Sequence, residues 1–163
     1  MTDLIPTDPS NNDEPTEIKE QSAKTLDEPT DSKEKLWEAL DKAIEELVTE
    51  KITLDQGREC RPDNISAARK FLPIMKAQLS AFPVPRATTE YDGAVELEWF
   101  NKELLSLVRC TFQVDIENEE IEVCTCGRGK VMIHRLLSFS SDNHDEEQAI
   151  IAVLQQFLKE VFP

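Results

Sequence analysis

Cys124-Thr125-Cys126, followed by His134, is the stretch of this 163-residue chain that comes nearest to chemistry. In a strand, residues two apart project from one face, so both thiols aim at the same spot. Two hairpin geometries are open at Gly127-Arg128-Gly129. A three-residue turn pairs Cys126 with Lys130 and Cys124 with Met132, and puts His134 on the thiol face; a two-residue turn moves His134 to the other face. In the first geometry, two thiolates and an imidazole begin a zinc site, with Cys60 or His144 as a fourth ligand. The spacing is not the paired two-spacer pattern of zinc knuckles or ribbons, and small half-buried strand thiols are the simpler account.

Other chemistry is thinly supplied. Gly127-Arg128-Gly129-Lys130 lacks the longer glycine pattern of a phosphate loop and joins strand to strand, where a phosphate loop leads into a helix. Cys110 sits in an apolar strand, as a core thiol does. His134 and His144 are the only histidines. Acid–base work would therefore rest on Glu96, Glu98, Glu120 and Glu122, whose alternation also describes a solvated polar sheet face. No nucleophile constellation and no cofactor-binding pattern is present, and a non-enzymatic protein is expected.

The elements that position these residues follow from hydrophobic period. Asp31 or Ser32 caps a first helix, with Glu34 three residues after Asp31 as in a capping box. Its stripe is Leu36, Leu40, Ala43, Ile44, Leu47 and Val48, with Trp37 at the edge. Residues 53–62 read as a loop around Gly57. Pro62-Asp63-Asn64 then opens a second helix carrying Ile65, Ala68, Phe71, Leu72, Met75 and Leu79, where Pro73 is expected to kink or divide it. Pro83-Val84-Pro85 is read as an extended connector.

From Ala94 the period becomes two. Val95, Leu97 and Trp99 alternate with Glu96 and Glu98, and Val108, Cys110, Phe112, Val114 and Ile116 alternate with Arg109, Thr111, Gln113 and Asp115. Glu117-Asn118-Glu119 is a turn, Ile121 and Val123 carry a third strand, and Val131, Ile133, Arg135, Leu137 and Phe139 begin a fourth with Met132 and Leu136 on its opposite face. A final helix after Ser141-Asp142-Asn143-His144 carries Ile150, Val153, Leu154, Phe157, Leu158 and Val161, with Asp145, Glu146 and Glu147 at its positive end. The fold class is therefore α+β: an antiparallel four-stranded meander, two preceding helices, and one C-terminal helix packed on one face.

Composition sets the surroundings. Residues 1–31 hold four prolines, many acids and only isolated apolar side chains, and are expected to be a disordered acidic tail on a single domain spanning 32–163. The start of the chain has no signal-peptide pattern, no run is long enough to span a membrane, and the four cysteines are expected reduced in the cytoplasm. A net charge of -15 disfavours nucleic acid and anionic membrane and favours a basic protein surface.

Pro83-Val84-Pro85 followed by Asp92-Gly93-Ala94-Val95-Glu96-Leu97-Glu98-Trp99 resembles a pattern in small uncharacterised bacterial proteins. In these a helix ends in a proline segment and an Asp-Gly turn opens a Val-x-Leu-x-Trp strand. The resemblance covers residues 57–163, departs from the pattern in the later strands, and implies no activity. In size and charge the chain is also similar to acidic secretion chaperones, which implies a homodimer binding an extended client segment, although the helix and strand order differs from that family's interrupted sheet.

The sequence thus points to a non-enzymatic cytoplasmic module that binds another protein in a chaperone-, antitoxin- or immunity-like role. Partner contacts are expected at Trp37, Glu96, Glu98, Phe100, Glu120 and Glu122. The first helix either joins the core or docks elsewhere, as on a second copy of the chain. The rival is a metal-binding protein using Cys124, Cys126 and His134.

Overall fold

A computed structural model describes residues 30–47, 61–90, 92–137 and 142–163. Helices α1 (Thr30–Glu46) and α2 (Pro62–Gln78) lead into strands β1 (Arg86–Thr89), β2 (Val95–Asn101), β3 (Ser106–Asp115), β4 (Glu120–Gly127) and β5 (Lys130–Leu137), and α3 (His144–Val161) closes the chain. The α+β class and the antiparallel meander are as the periodicity requires, with one strand more: the sheet has five, in the order β1-β2-β3-β4-β5. The additional strand follows the proline connector, where Ala87 pairs with Leu97 and Thr89 with Val95.

All three helices lie on one side of the sheet. α2 packs on β3 and β2, α3 on β3 and β4, and α1 on α2 and β1. The first helix belongs to the core: Trp37, Leu40, Ile44 and Leu47 are buried, while Leu36 faces outward. Leu40, Ile44 and Leu47 lie inside as expected, Leu36 and Ala43 are exposed, and Trp37, expected at the edge, takes the interior. Val48 and the loop from 53 to 60 lie outside the described residues.

Pro73 sits within α2 without dividing it and is exposed, so its missing donor and its ring fall on the solvent side. Phe71 meets Phe112 of β3 with ring centroids 5.2 Å apart. Arg69 grips Asp41 of α1 with two hydrogen bonds of 2.7 and 2.9 Å, and Lys70 reaches Glu147 of α3 at 3.2 Å. Ile150, Ile151, Leu154, Phe157, Leu158 and Val161 complete the core from α3. No described helix is long and apolar enough to cross a membrane.

Candidate functional site: the uncovered face of the sheet

Alternation along each strand leaves one face of the sheet with no described helix over it. Arg86, Glu98, Arg109, Cys126 and Val131 form one row across that face, directly opposite one another from β1 to β5. Thr88, Glu96, Thr111, Cys124 and Ile133 form the next. Further along lie Gln113, Glu122 and Arg135, then Asp115, Glu120 and Leu137. Glu96, Glu98, Glu120 and Glu122 therefore do share one face, which also carries Phe100.

The face is not the solvated carboxylate ladder that the alternation alone describes. Glu96 is only 4% exposed. Arg109 stands between the two glutamates of β2, its Nε 3.6 Å from Glu96 and 3.3 Å from Glu98. Burial pushes the Glu96 carboxyl up to about 8, reinforced by hydrogen bonds with Glu90 and Glu98 and opposed by Arg109. Desolvation outweighs the nearby guanidinium because the other carboxyls compete for the same cation. Glu96 thus keeps a proton at neutral pH. Glu122 is joined to Arg135 at 3.3 Å.

Glu90, Glu96, Arg109, Thr111, Cys124 and Cys126 line a concavity of about 240 Å³ on this face. The two thiols share the face, as their spacing requires, and burial raises both above the ordinary thiol value. His134 does not join them. Gly127 pairs with Lys130, so the hairpin turn is Arg128-Gly129, with positive φ angles of 48° and 78°. This two-residue geometry sets His134 opposite Val123 on the helix side of the sheet. The zinc arrangement of Cys124, Cys126 and His134 is therefore corrected: one member lies across the sheet from the other two. Cys60 lies outside the described residues, and His144 is exposed at the start of α3. Among the described residues no group of three metal-binding side chains converges.

Of the expected aromatic anchors, Phe100 is 53% exposed and available, whereas Trp37 is buried and is corrected to a core residue. Reading the sequence missed Arg109, Glu90 and Arg135, because their roles depend on cross-strand register. It also missed the exposure of Val131, Ile133 and Leu137 on β5. A separate apolar groove of about 620 Å³ runs between α1 and the Phe82–Ala87 segment.

The fold defines an α+β protein with a helical layer on one side of a meander sheet. No family model matches the chain, and neither the curated proteins nor the solved structures contain a match to it.

Proposed function

We infer that the chain is a non-enzymatic, cytoplasmic protein-binding module whose uncovered sheet face docks a basic surface of another protein. The observation that carries this reading is the grouping of Glu98, Glu120, Glu122 and exposed Phe100 on a sheet face with no described helix over it. Carboxylates on a protein of net charge -15 steer a basic partner and speed its encounter. Phe100 adds an aromatic anchor, the kind of residue that dominates interface energetics. Covering a basic surface is the physical act common to chaperone-, antitoxin- and immunity-like roles. The free Cys110, Cys124 and Cys126 are in keeping with a reducing compartment.

The test is capture of partners from the native cell at low and moderate salt, repeated with Glu120→Lys/Glu122→Lys and with Phe100→Ala. The reading expects a stoichiometric partner that is lost as salt rises. The double charge reversal should slow association by about tenfold at low salt, and the Phe100 variant should speed dissociation. A partner held equally by all three proteins, or no partner at either salt, overturns it.

A further inference from the structure

The two edges of the sheet are built differently. β1 has four residues and follows Pro83 and Pro85, so it offers little backbone for another strand to pair with. β5 has eight residues without proline or glycine. Val131, Ile133 and Leu137 are exposed on its outer face, and Met132 is exposed on the helix side. α3 covers Leu136, which is fully buried, but leaves the Lys130–Ile133 end of β5 exposed on both faces. No described strand is bonded to its outer edge, where the Asn143 side chain reaches only the Leu137 carbonyl. A long, apolar edge of this kind is where a sheet continues into another chain.

Charge selects the occupant. β5 carries Lys130, His134 and Arg135 and no acid, in a chain with 33 acidic residues. Two copies of so acidic a protein repel over most of their surfaces, but β5 brings no carboxylates together. Its own cations are already matched within the subunit, Arg135 to Glu122 at 3.3 Å and Lys130 to Glu160 at 3.4 Å. A basic partner gains nothing on this strand.

We propose that β5 is a self-association edge, along which two copies pair β5 with β5 in antiparallel sense and join their sheets into one. Directly opposite residues of an antiparallel pair share a face, so a two-fold axis normal to the sheet must pass through a residue. Centred on His134, the pairing sets Val131 against Leu137 of the partner subunit and Met132 against Leu136 of the partner subunit. Centred on Ile133, it sets Val131 against Arg135 of the partner subunit and Lys130 against Leu136 of the partner subunit. The first register also sets Ile133 against Arg135 of the partner subunit, but it joins four apolar pairs across the axis where the second joins only Ile133 to its own copy, and it is the one assigned.

Sedimentation equilibrium of the purified full chain over a wide concentration range, with no other protein present, tests this apart from any partner on the acidic face. A monomer–dimer equilibrium is expected, with dimer-dependent protection from hydrogen exchange confined to residues 130–137. Ile133→Lys and, separately, Val131→Lys should weaken the dimer by about tenfold or more. Both sites are exposed, so circular dichroism and melting of the monomer should be unchanged. A chain that stays monomeric throughout overturns the proposal, as does a dimer indifferent to both substitutions or one protected elsewhere.

Discussion

The side-chain oxygen of Asn64 accepts a hydrogen bond from the backbone N–H of Val114 at 2.7 Å, tying the first turn of α2 to β3. The same side chain donates to the carbonyl of Gly93 at 2.8 Å, in the turn that opens β2. Asn64 is fully buried, so its removal strands the Val114 N–H, while the Gly93 carbonyl keeps the Arg61 N–H at 3.4 Å. Asn64→Ala is expected to cost about 1–3 kcal/mol, because the stranded Val114 N–H loses its full desolvation penalty. Urea denaturation of the variant beside the parent checks this, and a loss under about 1 kcal/mol would show the contacts to be dispensable.

Glu96 makes stability depend on pH in an unusual direction. An unfolded glutamate releases its proton near 4.5, whereas in the fold this one keeps it to about 8. The folded chain is thus the better proton holder in that window. The contribution is complete below 4.5 and is lost as pH rises through 8. Each unit is worth about 1.4 kcal/mol, so the shift amounts to on the order of 3–5 kcal/mol. Glu96→Gln, which stays neutral, should lose much of the decline and exceed the parent in stability at pH 9. Denaturant midpoints at pH 5, 7 and 9 measure it; parallel slopes in the two proteins would assign the pH dependence to other groups.

Particular residues show what the sequence could and could not reveal. Val95, Leu97 and Trp99, and the run from Val108 to Val114, were legible because strict alternation has one meaning in a half-buried strand. β1 was not, since Arg86-Ala87-Thr88-Thr89 is short and shows no apolar alternation; only its pairing with β2 makes it a strand. On β5 both faces carry apolar residues, so pattern alone does not orient it. The length of the turn does, and through it the side on which His134 stands. For the uncovered face, the shared side of the four glutamates followed from period. The burial of Glu96 did not, because it depends on Arg109 and Glu90 arriving from other parts of the chain.

The β4–β5 turn and the end of β4 are held by two glycines for different reasons. A Cβ on Gly127 would lie 3.1 Å from both Cβ and Cγ of Phe157, so α3 packs directly on the strand backbone there. Gly127→Ala should push α3 off β4 and cost about 1–3 kcal/mol. Gly129 has open space around its Cα but a φ of +78°, so Gly129→Ala meets only backbone strain, about 1 kcal/mol. Denaturation of the two variants should rank them in that order, and the reverse order would contradict the close packing at Phe157.

The three described cysteines should differ in reactivity although none is in a disulfide. Cys110 is fully buried, and desolvation holds its thiol well above the ordinary 9.0. Cys124 and Cys126 are half-buried on the same face; burial raises both thiols, and the charge of nearby Glu90 acts in the same direction. Arg109 lowers Cys126 without overcoming the burial. Since the thiolate is the reactive form, all three should alkylate slowly at neutral pH. Labelling with iodoacetamide, read peptide by peptide in the mass spectrometer, should show Cys124 and Cys126 modified increasingly as pH rises past 9, and Cys110 only on unfolding. Rapid modification of Cys124 or Cys126 at neutral pH would mean that a cation stabilises the thiolate more than burial opposes it, and the pair would then be a reactive centre.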